Sequence, residues 1–247
     1  MAYVAIPAGS SSSSSTPTTF GAYFGQVFQN LTGLSPLQIV PYVSNFTNYQ
    51  DNASGGAGSG SQGGGSGGTG ASVAYNATGN GIITLTGPTS GAGFADLTNS
   101  QAGNNQITNA RSKKWLVAGW VANNHAPGAA SETSLGLIVN GATYVGMGFV
   151  GAVATWRYVL GTIGAMTNVA DTGITIDNTG NVYKWFYLRS DTTSLFLCPD
   201  VLAGAAEQTV DVVGSLPNTA ARPYFSVHGA GASDKVQLAG YCCFNEF

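Results

Sequence analysis

Charged residues are scarce in this sequence, and their scarcity limits the functions it can serve. Only 8 % of the 247 residues are Asp, Glu, Lys or Arg, whereas soluble domains usually carry about 25 %. No Lys or Arg precedes Arg111, and the formal net charge is −3. Binding to nucleic acid requires clustered Lys and Arg against phosphate, so we predict no nucleic-acid partner. A surface rich in Gly, Ser, Thr, Asn and Ala suits a protein that is fixed within an assembly.

Long apolar runs are also missing. No stretch approaches the ~20 consecutive apolar residues that a membrane-spanning helix needs. The N-terminal sequence MAYVAIPAGSSSSSSTP has no positive charge, and its short apolar run ends at Pro7. We therefore predict no membrane span, no signal peptide and synthesis in a cytoplasm.

Cysteine is limited to Cys198, Cys242 and Cys243. Neighbours on a strand point to opposite faces, so Cys242 and Cys243 should not pair with each other, although one of them could meet Cys198. The odd count and the cytoplasmic reading favour three reduced thiols. No Cys/His spacing typical of zinc is present, and we predict neither a metal nor a cofactor.

The candidate catalytic motifs lack the context that their chemistry requires. GMGFVG (146–151) fits a dinucleotide fingerprint, but a strand-like AVATWRYVLG follows it where that site needs a helix. GGSGG (64–68) fits a nucleophile elbow but lies within a glycine run. The two histidines, His125 and His228, fall in predicted loops, and no pattern pairs the three Glu residues. We predict that the protein is not an enzyme.

A glycine-rich run, ASGGAGSGSQGGGSGGTGAS, occupies residues 53–72. A flexible coil of this length has an end-to-end distance of about 25 Å, so we interpret it as a tether. It divides the chain into an anchoring arm (1–52), a linker (53–72) and a head (73–247). Alternatively, glycine permits close approach of backbones within an ordered arm.

An apolar stripe precedes the glycine run. Its spacing of 3, 1, 3, 1 and 3 predicts an amphipathic helix over residues 20–32, capped by Thr18 or Thr19 and ended by Gly33. A short uncharged helix with four rings is not stable alone in water. We favour docking into a partner or a second copy, with packing on the chain's own head or on a membrane surface as alternatives. The stripe consists of Phe20, Tyr23, Phe24, Val27, Phe28 and Leu31.

After residue 73 the pattern changes to short β segments separated by Gly, Asn, Asp and Pro. IVNGATYV and ITIDNTGNVY are typical of hairpins. About ten strands in this region predict an all-β, antiparallel two-sheet sandwich of jelly-roll type. Within it, ATWRYVLG places Trp156 and Tyr158 on one strand face and Arg157 on the other. These three residues are either a glycan-binding cluster or part of the sandwich core.

The segment ARPYFSVHGAGASDKVQLAGY (221–241) resembles the closing strand pair of concanavalin A-like jelly rolls. KWLVAGWVANN and DNTGNVYKWFYL are similar to other strands of that family, which includes lectins, glycanases, phage-fibre heads and capsid decoration proteins. The family's metal-binding Asp/Asn loop is not recognisable, so lectin chemistry does not carry over.

The layout of arm, glycine run and jelly-roll head resembles phage virion proteins. This resemblance implies a capsid decoration or fibre protein on the virion surface, made in a host cytoplasm. Its arm would bind other virion proteins, and it would form a homo-oligomer, with a trimer favoured. The alternative is a carbohydrate-binding adhesin or tail-fibre head that recognises a cell-surface glycan. A secreted glycan-active enzyme would need a signal peptide and paired carboxylates.

Overall fold

The computed structural model describes residues 20–44, 63–76, 82–98, 107–210, 213–230 and 234–246. These residues form one α-helix and fifteen antiparallel strands. The helix is α1 (Phe20–Thr32), and the strands are β1 (Ile39–Ser44), β2 (Gly63–Thr69), β3 (Ser72–Asn76), β4 (Ile82–Thr86), β5 (Ser90–Thr98), β6 (Trp115–Asn123), β7 (Ser131–Val139), β8 (Thr143–Val150), β9 (Thr155–Gly161), β10 (Thr167–Thr175), β11 (Lys184–Ser190), β12 (Leu195–Cys198), β13 (Gln208–Val210), β14 (Ala221–Ala230) and β15 (Lys235–Glu246).

The strands form two sheets. Sheet A has the order β13-β12-β11-β6-β15-β4-β3, with β1 also paired to β15, and sheet B has the order β10-β9-β8-β7-β14-β5-β2. The predicted all-β sandwich of two antiparallel sheets is confirmed.

Alternating side chains of the two sheets build the main core between them. On β6, Trp115 and Val117 point into this core, whereas Leu116 and Ala118 belong to a second apolar cluster. Because successive strand residues face opposite sides, the second cluster lies on the outer face of sheet A. Both faces of β6 are therefore buried along its first half, which explains its continuous apolar sequence.

The helix α1 covers that outer face. Phe24 and Phe28 are 2 % and 0 % exposed, and the Phe28 ring stacks on Phe244 with centroids 6.2 Å apart. Gly33 ends the helix at φ +69° and its N–H donates to the Gln29 carbonyl at 2.8 Å. The helix and its terminating glycine fall where the sequence predicts them, while Thr18 and Thr19 lie outside the described residues.

The preferred role of the stripe is corrected by this packing. Phe24, Val27 and Phe28 are buried against the chain's own head, because the outer face of sheet A is apolar and the helix covers part of it. Tyr23 is half-buried and Leu31 is 37 % exposed, while the side chain of Phe20 lies outside the described part. Packing on the head, the alternative considered above, is what the structure contains.

The tether interpretation of the glycine run is also corrected for residues 63–69. Strand β2 pairs with β5 at the edge of sheet B, with Gly67 opposite Phe94. A methyl group added to Gly93 would lie 2.3 Å from the Gly67 carbonyl oxygen. Glycine is needed here because the two backbones approach too closely for side chains. Residues 53–62 lie outside the described part of the chain.

One predicted hairpin is confirmed and the other is wrong. β7 and β8 pair around Asn140 and Gly141, whose φ angles are +54° and +68°, as a two-residue turn of this kind requires. The strands on either side of ITIDNTGNVY belong to different sheets, β10 to sheet B and β11 to sheet A. The Asp177 side chain accepts from the Thr179 N–H at 3.0 Å, and this local Asx turn accounts for the hairpin-like signal.

Candidate binding surface

The sequence-predicted glycan cluster lies in the core. Trp156 and Tyr158 are 2 % and 0 % exposed on β9 and pack between the sheets, and burial raises the pKa of the Tyr158 phenol. Arg157 points to the other face and forms an ion pair with Asp171. The alternation along β9 is as predicted, but the glycan-binding role for Trp156 and Tyr158 is corrected, because no sugar could reach their rings.

An exposed aromatic platform lies elsewhere, on the outer face of sheet A. It consists of Trp120 on β6, Trp185 on β11 and Tyr183 just before β11. Trp120 is 36 % exposed. Its indole is nearly parallel to that of Trp185, with centroids 5.5 Å apart, and the Tyr183 ring is 5.2 Å away. These contacts fix the orientation of the one ring that is open to solvent.

The helix supports this platform from one side. The Phe24 ring lies 5.3 Å from Trp185, so α1, Trp185 and Trp120 form one continuous aromatic row. On the opposite side, β15 contributes Gly240 directly beside Trp120. Gly240 is itself buried and places no side chain beside the indole.

Polar groups border the platform. The Tyr183 hydroxyl donates to Gln237 Oε1 at 2.9 Å, which fixes the phenol across β6, and burial raises the pKa of Tyr183. Lys235 is exposed and alternates with buried Val236 on β15, so it lies on the same outer face as Gln237. The surface therefore combines one exposed apolar ring with an amide and a phenol, and the ammonium group of Lys235 lies further along the same face.

Sequence analysis did not single out this platform, for a physical reason. Trp120 lies on β6 and Trp185 on β11, 65 residues later, and they become neighbours only through the register of these strands. A usable signal does exist, because the KWLVAGWV segment has more apolar residues than one sandwich face can bury. The segment does not reveal which of its residues remains exposed.

The carboxylates on the outer face of sheet B are already engaged. Glu132 accepts hydrogen bonds from the Gly164 N–H at 3.0 Å and the Met166 N–H at 3.1 Å. The Tyr224 hydroxyl donates to Asp96 Oδ2. These bonds secure the 161–166 loop and neighbouring strands rather than presenting two acids to a substrate.

The two histidines have different surroundings. His228 lies on β14, not in a loop as predicted; it is 2 % exposed, and burial lowers its pKa to about 4. His125 Nδ1 is 3.4 Å from Asp234 Oδ1.

Among the described residues, no three His, Cys, Asp or Glu side chains are grouped as metal ligands. The three cysteines are free, buried thiols. None of the described helices is long and apolar enough to cross a membrane.

No protein-family model matches the sequence, and no curated protein matches it. Solved structures do resemble the fold. A protein of unknown function from Shewanella oneidensis MR-1 aligns with a TM-score of 0.59 at 12 % identity, over 94 % of this chain and 97 % of that one. The CBM2 module of the evolved Dit of Lactobacillus casei BL23 phage J-1 aligns with a TM-score of 0.51 at 9 % identity, over 84 % and 96 %. Peanut lectin aligns with a TM-score of 0.46 at 12 % identity, over 84 % and 97 %.

The fold is an antiparallel two-sheet sandwich of jelly-roll type. At these identities the similarity extends to the fold alone, and the assignment of a site depends on this chain's own side chains.

Proposed function

We propose that this protein is a non-catalytic carbohydrate-binding head carried on the surface of a virion, and that the aromatic platform is its sugar site. The observation that carries the proposal is the exposed indole of Trp120, held in place by its ring contacts with Trp185 and Tyr183. Aromatic rings offer an apolar face for the C–H face of a sugar, and polar neighbours can hold its hydroxyl groups. Gln237 and Lys235 are placed for that second role.

The lack of catalysis is part of this proposal. Hydrolysis of a glycosidic bond uses two carboxyl groups that flank it at about 5–10 Å. Glu132 is occupied by the backbone N–H groups of a loop, and Asp96 by a tyrosine hydroxyl. Neither carboxylate borders the platform, because both residues lie on sheet B, whereas the platform is on sheet A.

The virion location is supported by composition and by resemblance. A charge-poor surface suits a protein held in an assembly, and one structure of similar fold is a module of a phage protein. We retain capsid decoration or fibre attachment, with assembly as a homo-oligomer and a trimer favoured. Because the head occupies the α1 stripe, attachment to other virion proteins uses a different surface.

Glycan-array binding of the full chain tests the sugar site. Trp120→Ala removes the exposed ring and should weaken binding about tenfold or more, the equivalent of 1.4 kcal/mol. Ile163→Ala is the matched control, because Ile163 is 52 % exposed on a loop beside sheet B and should leave binding unchanged.

Equal binding by wild type and Trp120→Ala would refute the platform as the site. An array without any bound glycan would instead favour the second candidate, a purely structural decoration protein.

A further inference from the structure

A cleft at one end of the sandwich is separate from the aromatic platform. Its volume is about 610 Å³, within the roughly 300–1,000 Å³ typical of small-molecule sites. A second depression, near Asn140 and Arg222, has only about 230 Å³. The larger cleft is lined by Arg111, Ser112, Thr192, Thr193, Val213, Gly214 and Asn218.

The loop that carries Arg111 is held firmly. Trp115 Nε1 donates to the Ala110 carbonyl at 2.9 Å, and the Ala110 N–H donates to the Thr219 carbonyl at 3.0 Å. Asn109 Oδ1 accepts from the Arg111 N–H at 3.1 Å. These bonds fix the backbone from which the guanidinium projects.

The guanidinium of Arg111 has no carboxylate partner within the described residues. Arg157 and Arg189, by contrast, pair with Asp171 and Glu207. An arginine that already has a carboxylate partner is less available to a ligand, whereas an unpaired guanidinium offers several N–H donors in a planar fork that matches an anion. Arg111 thus provides positive charge at the rim of the cleft.

Another part of the cleft lining is a strained turn. Thr192 has φ +83°, a backbone conformation that costs a β-branched residue of order 1–3 kcal/mol and is concentrated at functional sites. The Asp191 carboxylate secures the turn by accepting from the Thr193 N–H and the Ser194 N–H, both at 2.9 Å. This anchoring keeps Thr192 and Thr193 at the cleft.

We propose that this cleft binds an acidic saccharide, with Arg111 holding the carboxylate of a uronic acid. Ser112, Thr192 and Thr193 carry hydroxyl groups and Asn218 an amide, which match a polyhydroxylated ring better than an apolar ligand. Arg111 is the one basic residue among those that line the cleft, and the Nζ of nearby Lys114 donates to the Thr32 carbonyl at 3.0 Å. The lining therefore lacks the clustered positive charge that a nucleic-acid backbone needs.

This site is independent of the sugar site proposed above. Arg111 precedes the first residue of β6, whereas Trp120 lies in its second half. The helix α1 covers Leu116 and Ala118 between them. A ligand at one site can therefore bind while the other site is disabled.

Titration of the full ¹⁵N-labelled chain with trigalacturonate, followed by NMR, tests the proposal. Backbone signals of Ser112, Thr193 and Gly214 should shift, while galactotriose, the neutral match, should leave them unchanged. Arg111→Gln should weaken the binding at least tenfold. Arg222→Gln, which removes a charge beside the smaller depression, should retain it.

Three results would each overturn the proposal. They are absence of trigalacturonate binding, binding of equal strength by Arg111→Gln, and shifts of the same size with inorganic phosphate alone. Failure of Trp120→Ala to affect the glycan array would leave this second site standing, so the two proposals fail separately.

Discussion

At the scale of single residues, His228 is the clearest case of a polar side chain that is buried although its imidazole is better solvated in water. The centroid of its ring lies 5.4 Å from that of Tyr144 and 6.2 Å from that of Phe94. In the β14–β7 register, the residue opposite His228 is Glu132. Burial disfavours the charged imidazolium, which is why the pKa falls from 6.5 to about 4. The folded protein therefore contains a histidine that stays neutral where an unfolded chain would bind a proton.

This difference predicts acid sensitivity. Between pH 6.5 and 4 the unfolded chain binds more protons at His228 than the folded chain, so the free energy of unfolding falls as the pH falls. The expected contribution is roughly 3 kcal/mol, complete near pH 4. Urea denaturation from pH 7 to 4 should show a shallower pH dependence for His228→Gln than for wild type. Parallel curves for the two proteins would contradict the assignment.

At the scale of elements, the sequence predicts whatever depends on local pattern. The bounds of α1 follow from the stripe and Gly33, and the β7–β8 turn follows from Asn140-Gly141. The partners of these elements do not follow, because pairing is decided by residues far apart in the chain. The glycine strand β2 is the extreme case, since no side-chain pattern marks it and only the approach of β5 explains it. The platform was missed for the same reason.

Because α1 packs on the head, truncation of its buried side chains should destabilise the head, whereas truncation in a free anchoring arm would not. Phe28→Ala removes a fully buried ring from the outer face of sheet A and should lower the free energy of unfolding by about 3–5 kcal/mol. Leu37→Ala is the matched control, because Leu37 is 90 % exposed and its truncation should change stability by no more than about 0.5 kcal/mol. Chemical denaturation measures both. An unchanged midpoint for Phe28→Ala would restore the free-arm interpretation.

At the scale of the whole molecule, the described surface separates into regions with different tasks. One half of the outer face of sheet A is covered by α1, the other half exposes the platform, and the Arg111 cleft lies at one end of the sandwich. Sheet B places its outer-face carboxylates in structural hydrogen bonds. This arrangement leaves the two proposed binding regions accessible on one molecule.

At the scale of the whole molecule, we predict that the protein is attached to the surface of a virus particle. Antibody against the head, used in electron microscopy of purified particles from cells that produce the protein, should label the particle surface. Phe24→Asp and Phe28→Asp should reduce labelling only to the extent that they unfold the head. Particles without label, alongside folded free protein in the lysate, would exclude the virion role and leave carbohydrate binding as a separate matter.

The position of β15 has a consequence for how the chain is made. β15 pairs with β6 on one side and with β4 and β1 on the other, yet it is the last strand in chain order. At 5–20 residues per second, a ribosome delivers it roughly 10–40 s after β1. During that interval β1, β4 and β6 lack the strand with which all three pair. The surface on which α1 packs also lacks Phe244. Until β15 emerges, the nascent chain therefore exposes apolar strands, and protection from aggregation during translation matters alongside the stability of the folded protein.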